Sequence, residues 1–107
     1  MQITPPWTYI RPDETDILGL DFKKDLLGAT IVSTTWTCRV VSGEDATPSS
    51  RLAGLPSVNG TISQQKVTGM LVGVIYDLEA LVVTSDGRTL SLDSTIECQN
   101  FFREYDP

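Results

Sequence analysis

The chain has 107 residues with eight basic and fourteen acidic side chains, a net charge of −6 and no histidine. This length suits one domain with a single two-layer core. The acidic balance disfavours nucleic acids and anionic membranes as partners, because both are bound by surfaces rich in Lys and Arg. No apolar run approaches the about 20 residues of a membrane-spanning helix, and residues 1–7 lack the basic and apolar regions of a secretory signal. We therefore expect a chain made in the cytoplasm that binds neither nucleic acid nor a membrane.

Residues 1–14 contain three prolines among aromatic and apolar residues. Because proline lacks a backbone donor and blocks helices, this segment is predicted to be an extended N-terminal arm outside the core. The predicted domain then spans residues 15–99, and residues 100–107 form a C-terminal tail after the last strand.

Short stretches of alternating or β-branched apolar residues follow in chain order. They predict strands over 17–22, 29–41, 61–71 and 74–84, a last strand that runs to Cys98, and a brief edge strand over 51–53. Residues 23–28 are expected to form a turn and residues 42–48 a loop. Asn59-Gly60 and Asp86-Gly87 predict hairpins, the second as a two-residue turn with positive φ at both positions.

This pattern predicts an all-β fold, an immunoglobulin-like or fibronectin-like antiparallel β-sandwich of about seven strands with extended N- and C-terminal arms. Alternation predicts that six side chains point inward: Val32, Trp36, Tyr76, Leu78, Ala80 and Val82. Tyr76 stands two residues before Leu78, which is the spacing of a tyrosine corner, with a plain core aromatic as the alternative.

The absence of histidine removes the usual general base, the commonest zinc ligand and every histidine-dependent triad. Cys38 and Cys98 are expected to be reduced, buried thiols because no export signal is seen. Asp77 and Glu79 are interpreted as part of a solvated outward sheet face and not as a catalytic pair. We expect no enzymatic activity, no cofactor and no metal site, although the acidic residues of segment 13–25 leave calcium binding open.

Five of the eight aromatic residues fall in the first ten and last seven positions. Since such side chains are costly to leave in water, the arms either fold back over the sandwich or dock on a neighbouring subunit. Docking predicts that deletion of residues 1–10 or 100–107 leaves stability nearly unchanged. If the arms belong to the core, the outward face around Leu81 and Val83 is the alternative interface. The candidate interface residues are Trp7, Tyr9, Ile10, Leu81, Val83, Phe101, Phe102 and Tyr105.

Three segments carry a resemblance to a known family: DETDILGLDF at 13–22, LLGATIVSTTWT at 26–37 and VTSDGRT at 83–89. They resemble small immunoglobulin-like virion proteins of tailed bacteriophages, commonly labelled fiber-tail adaptors, and some similar domains decorate capsids. In that family an acidic start leads into a strand and turn, an S-x-x-W-T strand follows, and the last hairpin carries a T-x-x-G-R-T turn. The match spans about residues 13–98, with both arms outside it and a longer loop over 42–57.

The resemblance implies a non-enzymatic structural component of a phage virion, an adaptor, connector or decoration module. Its implied partners are tail, neck, fiber or capsid proteins, with a homo-oligomer as a further option. It would be found in the host cytoplasm during assembly and then in the virion. The alternative is a carbohydrate- or surface-binding module of a tail fiber, which would need exposed aromatic side chains.

Overall fold

Seven strands and two short helical turns make up the computed structural model, which describes residues 1–100. The strands are β1 (Tyr9–Ile10), β2 (Thr15–Asp21), β3 (Ile31–Ser42), β4 (Ser57–Asn59), β5 (Ile62–Thr68), β6 (Ile75–Thr84) and β7 (Thr89–Cys98). The helical turns are α1 (Lys23–Leu26) and a 3₁₀ turn (Pro48–Arg51).

The strands form two sheets that enclose one core. One sheet has the order β1-β7-β6-β3 and the other the order β2-β5-β4. Every pair is antiparallel except β1 and β7, which run parallel. With strands lettered A to G in chain order, B-E-D lies opposite C-F-G, which is the immunoglobulin arrangement, and the first strand joins G. The predicted immunoglobulin-like sandwich is confirmed.

The core lies between the two sheets and is centred on β6. Alternate residues of this strand point inward, and Tyr76, Leu78, Ala80 and Val82 are buried as predicted. Trp36 of β3 is 7% exposed, which confirms its predicted inward position.

Val32 is the exception among the predicted core residues, because it is 66% exposed. The register of β3 against β6 shifts between Ile31 and Ser33, so Val32 is the extra residue of a β-bulge. Ile31 packs against the core instead. The prediction for Val32 was wrong because a bulge inverts the alternation at one position.

The β6–β7 turn differs from the predicted two-residue turn. The backbone N–H of Thr84 donates to the carbonyl of Arg88 at 2.8 Å, so the loop holds three residues, Ser85 to Gly87. Only Gly87 has a positive φ, of 84°. Thr84 stabilises the loop, because its Oγ1 accepts from the N–H of Arg88 at 2.9 Å.

The β4–β5 hairpin predicted at Asn59-Gly60 is confirmed, with Gly60 and Thr61 as the central residues because Asn59 pairs with Ile62. The edge strand predicted over 51–53 is wrong. The 3₁₀ turn ends at Arg51, and Leu52 makes only an isolated bridge to Val67.

The N-terminal segment, residues 1–10, contacts both sheets. Gln2 lies beside β2, where its N–H donates to Ile17 and its carbonyl accepts from the N–H of Gly19, both at 2.8 Å. The segment then crosses through the exposed Pro5-Pro6 pair, and β1 joins the edge of β7. One chain segment thus covers part of one edge of each sheet.

Trp7 anchors this segment in the core. It is 5% exposed, its ring stacks on Trp36 with centroids 6.3 Å apart, and its Nε1–H donates to the carbonyl of Gly19 at 3.2 Å. Ile10 is also buried. The prediction of an arm outside the core was therefore wrong for the N-terminus. A proline removes the backbone N–H donor only at its own position. Burial of the Trp7 ring, with its N–H hydrogen-bonded, stabilises the segment by more than those lost donors cost.

Tyr76 forms the predicted tyrosine corner. Its hydroxyl accepts from the N–H of Leu71 at 3.0 Å and donates to Asp45 Oδ2 at 2.8 Å. Burial, together with the hydrogen bond to Asp45, raises the pKa of Tyr76 to about 12. Arg51 Nε lies 3.0 Å from the same carboxylate, so the loop after β3 is tied to the β5–β6 corner.

Cys38 and Cys98 are free and buried, as predicted. Burial raises the pKa of the Cys38 thiol to about 12 and also raises the pKa of Cys98. Both groups therefore stay protonated in the folded chain at neutral pH.

We predict that Trp7→Ala lowers the free energy of unfolding by about 3–5 kcal/mol, the range for emptying a large buried aromatic site. Urea unfolding followed by circular dichroism measures the change. The control is Thr4→Ala, which alters an exposed residue of the same segment. Equal stability of the two variants would show that the N-terminal segment is not part of the core.

We also predict that the two thiols resist alkylation while the chain is folded. Iodoacetamide at neutral pH should add no group to the native protein and two groups to the unreduced, denatured protein, as counted by intact mass. Denatured protein that takes up no label without a reductant would indicate a bridge between Cys38 and Cys98.

Candidate protein-interaction face

The outer face of the β1-β7-β6-β3 sheet is the side turned away from the core. Its central row consists of the odd-numbered residues of β6, since alternate strand residues point to opposite faces. Leu81 lies between Thr35 of β3 and Ser91 of β7. Val83 lies in the same way between Ser33 and Thr89. Backbone pairing thus places two apolar side chains between two rows of small hydroxyl side chains.

These six residues form what we call the neutral half of the outer face: Ser33, Thr35, Leu81, Val83, Thr89 and Ser91. All six are exposed, and none carries a charge. Leu81 is 41% exposed and Val83 is 38% exposed, although both stand in the middle of a regular sheet. This exposed apolar pair with uncharged neighbours makes the neutral half the candidate protein-interaction face.

The other half of the outer face is charged. Arg39 donates to Asp77 Oδ2 at 2.9 Å, and the side chain of Asp77 is only 5% exposed. Burial raises the pKa of Asp77, and the neighbouring carboxyl of Asp93 raises that pKa further. Asp77 does lie on the outward face, but the prediction that it is solvated was wrong, because the Arg39 side chain and the adjacent strand cover it.

The predicted interface residues fall into three groups. Leu81 and Val83 are exposed on the neutral half, whereas Trp7 and Ile10 belong to the core and Tyr9 is half-buried. The N-terminal residues are therefore not free to anchor a partner in this structure. Phe101, Phe102 and Tyr105 lie outside the described residues.

An open cleft of about 410 Å³ lies between the N-terminal segment and α1. Its charged side chains are Asp21, Lys23, Lys24, Asp25 and Asp93. Asp21 is already engaged, because its Oδ1 accepts from the N–H of Lys23 at 2.9 Å and from Thr61 Oγ1 at 2.7 Å.

Within residues 1–100, no group of three or more His, Cys, Asp or Glu side chains is placed to hold a metal ion. The helical turns of this part of the chain are too short to cross a membrane. In comparisons with known proteins, no family model, no curated protein and no solved structure matches the chain.

We predict that Asp93→Asn stabilises the protein at neutral pH by a few tenths to about 1 kcal/mol, the range for removing a like charge from a cross-strand neighbour. A carboxyl whose pKa is raised by folding stabilises the fold at low pH and loses that contribution as the pH rises through its folded pKa. Asp93→Asn removes part of the rise in the pKa of Asp77. The gain in stability should therefore appear at neutral pH and vanish at a pH low enough to protonate both carboxyls.

Thermal unfolding at several pH values measures this gain. Glu44→Gln is the control, since it removes one exposed negative charge that is not among the groups that shift the pKa of Asp77. A gain that is equal in both variants, or that persists in acid, would contradict the like-charge contacts of Asp93 with Asp77 and with Glu79, which lies directly opposite it.

Proposed function

We propose that the chain is a non-enzymatic structural module of a bacteriophage particle, an adaptor or decoration domain that joins larger tail, neck, fiber or capsid proteins. The observation that carries the proposal is the neutral half of the outer face. On a chain of net charge −6, it presents the exposed Leu81 and Val83 among uncharged neighbours. Such a face suits a broad protein surface better than a small substrate, because it presents apolar side chains on the open face of a sheet.

The residues behind the family resemblance also support the proposal, since their contacts join separate motif segments. Arg88, from the T-x-x-G-R-T-like turn, donates to the carbonyl oxygens of Asp25 and Leu26 at 2.8 and 2.7 Å. Leu26 is the first residue of the second resembling segment, and Asp25 directly precedes it. Trp36, from the S-x-x-W-T-like strand, lies in the core. The residues that carry the resemblance therefore also help to hold this sandwich together.

The carbohydrate-binding alternative has no observation in its favour among the described residues. A sugar site needs exposed aromatic side chains, as the sequence already indicated. Tyr9 is half-buried, and the other aromatic residues in this part of the chain are buried: Trp7, Phe22, Trp36 and Tyr76.

The test measures how much of the chain is present in particles of the phage whose genome encodes it. Quantitative mass spectrometry of purified particles compares the wild-type chain with Leu81→Asp and with Leu55→Asp. Leu55 is 94% exposed in a loop, so the second variant makes the same substitution away from the outer face.

We expect the wild-type chain and Leu55→Asp in particles at equal levels. Leu81→Asp should be at least tenfold depleted while it remains folded by circular dichroism. Absence of the wild-type chain from particles would overturn the proposed function. Normal incorporation of Leu81→Asp would overturn the neutral half as its docking face.

A further inference from the structure

The two sides of the sandwich differ in how their strand edges are covered. On one side, the N-terminal segment pairs with the edges of β2 and β7. On the other side, β4 and β3 are the outermost strands of their sheets. β4 has three residues, whereas β3 extends from Ile31 to Ser42. β1 pairs only with Glu97 and Cys98, so the rest of β7 is also an uncovered edge, and that stretch carries Asp93. β3 is therefore the longest edge that no other strand of the described chain covers, and it carries no acidic side chain.

The hydrogen bonds of β6 show which backbone groups of β3 face this edge. The N–H of Thr84 bonds to Arg88, and the carbonyl of Val74 bonds to Cys98, so even-numbered residues of β6 point their backbone groups toward β7. Odd-numbered residues of β6 therefore bond to β3, where their partners are also odd-numbered. The backbone groups left on the outer edge are those of Thr34, Trp36, Cys38 and Val40.

Two bulges bound this set of unpaired groups. The register against β6 shifts between Ile31 and Ser33 and again between Val40 and Ser42, while the pairing between them is regular. A bulge interrupts the alignment that a neighbouring strand needs. A strand that adds to β3 is thus confined to the stretch from Ser33 to Val40.

The charge of this stretch argues for a particular partner. Between Thr30 and Gly43 the only charged side chain is Arg39, and there is no proline or lysine. Natural edge strands that stay single carry such residues to prevent pairing. Two copies of this acidic chain repel each other over most of their surface, but they meet no acidic side chain along β3.

From these observations we infer that β3 is a self-association edge, on which β3 of a second copy pairs antiparallel about a twofold axis. Three registers bond at least three of the four unpaired residues, with the axis at residue 36, 37 or 38. With the axis at 36 or 37, a residue at 35 or 37 lies opposite 35 or 37 of the other copy, and with the axis at 38, Thr37 lies opposite Arg39. Arg39 then faces Ser33, Thr35 or Thr37, never another Arg39.

The paired sheets contain eight strands, four from each copy. Because the axis is perpendicular to the sheet, both neutral halves lie on the same side of the dimer. The inference goes beyond the proposed function and does not depend on it, since it concerns the isolated chain.

The test is sedimentation velocity of the purified full chain over a wide concentration range. The Thr35→Lys/Thr37→Lys variant places positive charges opposite each other in all three registers, at exposed positions that leave the core unchanged. Thr89→Lys/Ser91→Lys is the matched control, with two lysines on the same face but two strands away from β3. Thr35→Glu/Thr37→Glu supplies the opposite charge.

We expect a concentration-dependent dimer for the wild-type chain and for the Thr89→Lys/Ser91→Lys control. The Thr35→Lys/Thr37→Lys variant should show at least a tenfold weaker dimer, and its mixture with Thr35→Glu/Thr37→Glu should recover the dimer. Circular dichroism establishes that each variant is folded, and an unfolded variant is replaced by Thr35→Lys alone. A wild-type chain that stays monomeric at millimolar concentration, or an edge variant that dimerises like the control, would overturn the inference.

Discussion

Unpaired backbone groups at the sheet edges are the constraint on which the rest of this structure depends, because a sandwich that leaves them bare invites uncontrolled pairing. The N-terminal segment covers part of two edges, at Leu18 of β2 and at Glu97 and Cys98 of β7, and Trp7 holds it in place by stacking on Trp36. The fit is close, since a Cβ on Gly19 would lie 2.5 Å from the carbonyl oxygen of Ile3. β4 is too short to offer a long template. The edges that remain are β7 before Glu97, which carries Asp93, and β3, which is bounded by bulges and nearly free of charge.

Polar contacts inside the sandwich hold β3 rigidly beside this open side. Trp36 Nε1–H donates to Ser63 Oγ at 2.8 Å, and Thr34 Oγ1 lies 2.6 Å from the same atom, so β3 is tied across the core to β5. Gln65 donates to the carbonyls of Gly54 and Lys66 at 3.2 and 2.9 Å and anchors the chain ahead of β4. An edge that is already held in the strand conformation loses little conformational entropy when a strand is added.

Alternation along β6 and the turn residues near Asn59 were sufficient to predict the sandwich, its central strand and the outward position of Leu81 and Val83. Three features carried no local signal. The bulge at Val32 depends on pairing with β6, and the burial of Asp77 depends on Arg39 reaching across from another strand. Trp7 was predicted to lie in an arm, because no residue near it in the sequence indicates that its ring stacks on Trp36. The neutral half was only partly predictable, since its Ser and Thr rows come from β3 and β7 through the sheet register.

Residue-resolved amide hydrogen exchange on dilute protein tests the account of the edges most directly. The N–H groups of Gly19 and Gln99 bond to carbonyls of the N-terminal segment and should exchange as slowly as the central ladder. On β3, the N–H groups of Thr35 and Thr37 should exchange slowly, while those of Trp36 and Cys38 exchange rapidly. Uniform protection along β3 in the dilute chain would contradict an open β3 edge, and rapid exchange at Gly19 and Gln99 would contradict the pairing of the N-terminal segment with β2 and β7.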